Sequence, residues 1–197
     1  MARRRGLSIS EQHFQESFGR TSREAIAQYW GAGRYSDEEV QAMNREKEAD
    51  FRRVITANFP AMPGAAELVA ALDTAGFGVA VGSSAPRENV ELAIERLGVR
   101  EHFHAIVSGS DVQRGKPDPQ IFLVAAKRLG LPPARCVVIE DAPVGLAAAA
   151  AAGMACVGLA STGRTREVLS EAQLVVDSLT ELSPARLRQL LEHCADR

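Results

Sequence analysis

The 197-residue sequence has little net charge, few cysteines and no long apolar run. A formal charge of −2 gives no reason to expect nucleic acid or an anionic membrane as a partner. No stretch reaches the roughly 18 apolar residues of a membrane span. The basic start Met1-Ala2-Arg3-Arg4-Arg5 runs into Gly6-Leu7-Ser8 rather than an apolar segment, so it is not expected to act as a secretory signal. Cys136, Cys156 and Cys194 are scattered, and the first two fall in apolar runs. Buried reduced thiols in a cytoplasmic compartment are the expectation. There is no internal repeat, and low complexity is confined to the alanine run Ala147–Ala152. What the chain does have is apolar material, 46% of its residues, enough for a sizeable core. Its length admits one large domain or a core with a small accessory domain.

Residues 8 to about 58 read as helical. Ser8 with Glu11, Thr21 with Glu24, and Ser36 with Glu39 have capping-box spacing. Gly19, then Gly31 and Gly33, separate three helical stretches, the last a long charged one from Asp37 to about Ala57. The character changes at Pro60-Ala61-Met62-Pro63-Gly64. Beyond it, strands are expected near Gly78–Val81, Ala105–Val107, Cys136–Ile139, Ala155–Gly158 and Leu174–Val176. Helices are expected near Ala65–Ala75, Arg87–Leu97, Pro119–Leu129, Val144–Ala152, Thr165–Leu169 and Pro184–Cys194. Such alternation predicts an α/β fold, a parallel sheet flanked by helices, preceded by an all-α part. The expected division is residues 1–60, helical, and 61–197, α/β core.

Ligands of such sheets bind beyond the carboxyl ends of the strands. Three loops there carry chemistry. Gly82-Ser83-Ser84-Ala85-Pro86 has a hydroxyl and backbone N–H groups ahead of a helix, which suits an anion, although an ordinary strand-to-helix turn looks the same. In Gly115-Lys116-Pro117-Asp118-Pro119, Asp118 reads as an N-cap with Pro119 at the first helical position. Lys116 then sits where a cation could hold a phosphate, or could simply be solvated. Val137-Val138-Ile139-Glu140-Asp141 delivers two adjacent acids to a strand end. Paired acids at a buried end are costly without a compensating cation or proton, and a hard ion such as Mg2+ satisfies them; one acid capping the next helix is the alternative. No Walker P-loop or dinucleotide fingerprint is present.

Together these segments, with Pro63-Gly64 and Ala151-Ala152-Gly153-Met154, resemble the haloacid dehalogenase-like superfamily over about Met62 to Gly163, in its β-phosphoglucomutase and phosphoglycolate-phosphatase branch. The preceding helices resemble the inserted four-helix cap of that branch. Phe18-Gly19-Arg20-Thr21-Ser22-Arg23 is similar to the cap stretch that approaches substrate. The resemblance implies a Rossmann-like core and a Mg2+-dependent phosphatase acting on a small phosphorylated metabolite, with a phosphomutase or an inactive phosphate-binding module as alternatives. It implies that Ser83 holds the transferring phosphoryl group, with Ser84 beside it, and that Lys116 neutralises the phosphate and the nucleophile. Asp141 is implied as a metal ligand, direct or through water, with Glu140 assisting. Arg20 and Arg23 are implied as substrate contacts, a solvated helix start being the alternative. A monomer or weak homodimer is expected.

The family's nucleophile lies on an aspartate-x-aspartate-glycine motif after the first core strand, with the second aspartate as general acid and base. The sequence contains no Asp-x-Asp. By the resemblance that strand belongs between those at Gly78–Val81 and Cys136–Ile139, and its loss would leave interior backbone groups unpaired. The expectation is that Met1 is an internal methionine of a longer protein. Closure of the two strands on each other, or a strand from a second chain, are the alternatives.

Overall fold

The structure is a computed structural model that describes residues 1–10, 22–161 and 163–195. The chain divides into two compact units, Met1–Phe59 and Pro60–Arg197. In the first, a 3-10 turn at Ala2–Arg5 precedes helices α1 (Ser22–Trp30) and α2 (Asp37–Ala57). The expected box at Ser36 is formed: its hydroxyl accepts the Glu39 N–H and the Glu39 carboxylate accepts the Ser36 N–H at 2.8 Å. Asp37, Glu38 and Glu39 complement the positive end of the helix dipole. Ile26, Val40 and Met43 are buried among Leu7, Trp30 and Tyr35. The expected boxes at Ser8/Glu11 and Thr21/Glu24 involve Glu11 and Thr21, which lie outside the described residues.

The second unit runs α3 (Ala65–Thr74), β1 (Ala80–Gly82), α4 (Arg87–Leu97), β2 (Ala105–Val107), α5 (Gln120–Leu129), β3 (Val137–Glu140), α6 (Pro143–Ala151), β4 (Ala155–Leu159), β5 (Leu174–Val176) and α7 (Pro184–Ala195). Three expectations shift. The first strand starts at Ala80 rather than Gly78. Thr165–Leu169 yields only a 3-10 turn at Glu167–Leu169, too short a stretch to repeat the α-helical bond. At α5 the N-cap is Pro119, not Asp118; the Asp118 carboxylate still accepts the Gln120 N–H at 2.9 Å, so it serves the helix from one residue further out.

The expected parallel strands are present, in two sheets among the described residues. β1 pairs with β2, and β3 with β4 and β5, all in parallel. The same helices cover both sheets. On the α5 and α6 side, Val107 joins Val138 and Cys156 in one apolar cluster; on the α3 and α7 side, Val79 joins Val157 and Val176 in another. Ala148 and Ala149 are fully buried, so the alanine face of α6 seats directly on the sheet.

Arginines tie off the outer rims. Arg128 donates to the Ile106 carbonyl and Arg166 to the Val175 carbonyl. The remaining edges belong to β1 and β3. Parallel pairing turns alternate residues toward the partner; the Val107 carbonyl takes the Ser83 N–H, and the Cys136 carbonyl takes the Ala155 N–H. The backbone groups of Ala80 and Gly82, and of Val137 and Ile139, therefore face away from their partner strands. Among the described residues no strand bonds to them. Burial agrees: β2, at a rim, is buried throughout, whereas β1 is only half-buried. An open seam thus runs between the two sheets.

One polar hub fixes the tip of β2. Asp111 accepts the Ser108 N–H and hydroxyl at 2.8 and 2.7 Å, and pairs with Arg87 and Arg128 at 3.1 and 2.7 Å. Bonds from Ser108, then Arg128, hold its carboxyl well below the usual carboxylate range. Asp111→Ala is expected to cost about 3 kcal/mol in urea unfolding at neutral pH, since it strands the buried Ser108 donors. Because the folded carboxyl is the stronger acid, its contribution is full above about pH 4, the unfolded value, and fades as pH falls. Asp111→Asn should therefore flatten the acid side of the stability profile.

Candidate active site

The loops after β1, β2 and β3 carry the residues singled out in the sequence. Lys116, in the loop after β2, donates to Glu140 Oε1 at the tip of β3. Both side chains are nearly buried, at 13% and 9% exposure. The Lys116 Nζ also sits 4.9 Å from the centre of the Phe122 ring. A side chain at Gly82 would touch that same ring, so the end of β1, where Ser83 begins its loop, lies against the surroundings of the lysine. The structure thus gathers Lys116, Glu140 and the β1 tip in one region.

The Ser83 hydroxyl accepts the Ala85 N–H at 3.2 Å, which folds the loop into a tight turn ahead of α4. Ser84 is held from the other side: a Cβ on Gly109 would run into its carbonyl oxygen, so the β1 and β2 loops touch backbone to backbone. Glu140 spends its second oxygen, Oε2, on the Asp141 and Ala142 N–H groups at 2.9 and 3.3 Å. Its carboxylate is therefore fully engaged within the chain. Gly145, in the first turn of α6, makes room for it, because a methyl group there would overlap the Glu140 carboxyl.

Asp141 differs from its neighbour. Its side chain is 45% exposed. Burial of the rest pushes its carboxyl above the ordinary value, Arg164 opposes that shift, and Glu140 adds to it. Arg164 donates to the Asp141 carbonyl at 2.9 Å and lies 3.7 Å from Oδ2. The sequence reading passed over Arg164. The signal was available, since it follows β4 as the other loops follow their strands, but nothing local distinguishes it from a solvated arginine.

Cys156, on β4, has its thiol pushed up to about 12 by burial, so it stays protonated. Arg23 is in the helical unit, where it pairs with Asp37. Arg20 lies outside the described residues. Among the described residues no group of three or more His, Cys, Asp and Glu side chains is arranged to hold a metal ion, and no helix is long and apolar enough to cross a membrane.

Comparison with known proteins agrees with this layout. A family model for haloacid dehalogenase-like hydrolases matches residues 1–153. Validoxylamine A 7'-phosphate phosphatase of Streptomyces hygroscopicus subsp. limoneus is 33% identical over 186 residues, covering 91% of this chain and 83% of that protein. The β-phosphoglucomutase of Bacillus subtilis is 35% identical over 165 residues, covering 82% of this chain and 70% of its own. A crystal structure of β-phosphoglucomutase from Clostridium difficile matches with a TM-score of 0.86 at 26% identity, covering 100% of this chain and 88% of that one. The parallel strands, the loops at their tips and the matched family model lead to one conclusion: the chain belongs to the haloacid dehalogenase-like hydrolases.

Proposed function

We propose a magnesium-dependent phosphatase that acts on a small phosphate monoester, such as a sugar phosphate or phosphoglycolate. The observation that carries this is the nearly buried Lys116 at the strand tips, paired with Glu140, whose neighbour in sequence is the half-exposed Asp141. The relatives' own names, a phosphate phosphatase and a phosphoglucomutase, support the same chemistry.

Mg2+ is usually held by one or two carboxylates, with waters and substrate phosphate oxygens completing its shell. A single available carboxylate fits that pattern. Asp141 would hold the ion, directly or through water, while Glu140 assists by fixing the Asp141 backbone. When bound, the ion would polarise the phosphoryl oxygens. Lys116 attracts the phosphoryl group and neutralises its charge. The Ser83 hydroxyl accepts from the Ala85 N–H, which leaves its proton to donate to a phosphoryl oxygen.

The acceptor carboxylate comes on an additional strand, from a segment outside these residues, that fills the seam beside Ala80 and Ile139. Its oxygen bonds to phosphorus as the ester P–O bond breaks and the leaving oxygen takes a proton from a second acid on that segment. Water then cleaves the acyl phosphate and releases inorganic phosphate. A phosphomutase would use the same groups but return the phosphoryl group to the sugar. The lack of Asp-x-Asp favours a second reading, a phosphate-binding module without turnover.

The test is release of p-nitrophenol from p-nitrophenyl phosphate with Mg2+. The 197-residue chain alone is expected to be inactive, and addition of a strand-bearing segment to restore turnover. Restored turnover should fall by about 100-fold or more in Lys116→Met, the scale of losing one electrostatic stabiliser of a transition state. Turnover by the chain alone, abolished in Asp141→Ala, would overturn both the added strand and the inert module.

A further inference from the structure

Arg164 stands outside every motif singled out in the sequence, yet it is one of two side chains that fix the acid at the tip of β3. The Asp141–Ala142 peptide is held at both ends. Arg164 donates to its oxygen at 2.9 Å, and Glu140 accepts from its N–H at 3.3 Å. Glu140 also takes the preceding N–H, that of Asp141, at 2.9 Å. The Arg164 side chain is only 14% exposed, while the Asp141 side chain it anchors is 45% exposed. The stem is packed, the guanidinium donates to a backbone carbonyl, and the Asp141 side chain keeps access to solvent.

Such an arrangement differs from an ordinary ion pair. An arginine placed to neutralise Asp141 would approach both carboxylate oxygens at about 2.8 Å in a forked geometry. Here the short contact is to the carbonyl, and the carboxylate oxygen is 3.7 Å away. Among the described residues, those just after β3 have no ladder partner to set their conformation, so these side chains take over that task.

The geometry points to Arg164 as a positioning residue: it clamps the Asp141–Ala142 peptide, so that the Asp141 carboxylate is presented in one orientation to a divalent cation. The cation part of this statement rests on the proposed role of Asp141; the clamp does not. The positive charge of Arg164 opposes cation binding, so a net benefit from the arginine would mean that orientation outweighs repulsion.

Two measurements on the 197-residue chain test it. The first is amide hydrogen exchange without metal. In Arg164→Ala, exchange at Asp141 and Ala142 should quicken by about tenfold or more, as expected when a local opening replaces a held conformation. Amides of β4, such as Val157, should keep their rates, and Arg164→Lys, which retains a charged donor group, should stay close to the parent. Should Arg164→Ala fail to fold, Arg164→Gln takes its place. The second measurement is Mn2+ binding by electron paramagnetic resonance. Arg164→Ala should weaken it by about 10- to 100-fold, the usual effect of removing a residue that orients a metal ligand. Unchanged exchange at Asp141 and Ala142, or equal quickening in β4, overturns the clamp. Equal or tighter Mn2+ binding in Arg164→Ala overturns the claim that orientation outweighs repulsion. Quickened exchange in a chain whose parent form binds no Mn2+ upholds the clamp and overturns the metal role of Asp141.

Discussion

Glu140→Ala is expected to lower the stability of the Pro60–Arg197 unit by about 3–5 kcal/mol, because it leaves the nearly buried Lys116 ammonium without its counter-charge. Lys116 and Glu140 are 13% and 9% exposed, so water cannot readily replace the lost partner. The value should fall toward the lower end of that range. Lys116 keeps the Phe122 ring at 4.9 Å, and a desolvated cation over an aromatic face retains up to about 2 kcal/mol. A domain holds about 5–15 kcal/mol in all, so the variant should remain folded but with a much lower urea midpoint. Removing both charges should behave differently. In Lys116→Met with Glu140→Gln, the amide oxygen still accepts the Asp141 and Ala142 N–H groups and no charge is stranded. That double variant is expected to be clearly more stable than Glu140→Ala. A double variant as unstable as Glu140→Ala would mean that the stranded charge is not the cause, since the double variant keeps the loop contacts and leaves no charge unpaired.

The second large effect comes from one methyl group. Gly145→Ala should cost about 1–3 kcal/mol, the usual range for overpacking a filled site. Alanine normally favours a helix over glycine by about 1 kcal/mol, so the sign here is opposite to the propensity. The cause is local: the added carbon would occupy the space of the Glu140 carboxyl, which is pinned by Lys116 on one oxygen and by two N–H groups on the other. Once Glu140 is truncated that space is empty. Introduced into Glu140→Ala, the Gly145→Ala change should therefore be neutral or stabilising by up to about 1 kcal/mol, as helix propensity alone would give. Contacting residues depart from additivity in this way, and thermal unfolding of the four-member cycle measures the departure. Equal costs for Gly145→Ala in both backgrounds would show that the glycine serves something other than the carboxylate.

Much of this was legible in one dimension. Residues Ala105–Val107 and Leu174–Val176 were placed as strands to the residue, because short β-branched runs between turn signals allow few other readings. The helix Arg87–Leu97 was also placed to the residue, and the Gly98 φ of 74° shows why it stops there. The rule that ligands gather at strand tips picked out Ser83, Lys116, Glu140 and Asp141 without coordinates. Each of those inferences draws on a periodicity or a dihedral preference that a few neighbouring residues set among themselves.

The division of labour within the acid pair was not legible. Glu140 and Asp141 are adjacent in sequence and chemically alike, yet one is enclosed by Lys116 and Gly145 while the other is half in solvent. The difference arises from partners 24 residues before and 23 residues after them in the chain. Nor did the sequence reveal that Arg128 and Arg166 close the outer sheet rims. The sequence by itself determined which segments become strands and helices and which loops hold polar groups, since those choices depend on short-range backbone preference and apolar spacing. Only the tertiary structure decided which charge meets which, because hydrogen bonds and ion pairs act over a few ångströms and depend on how distant segments are packed, which local pattern does not encode.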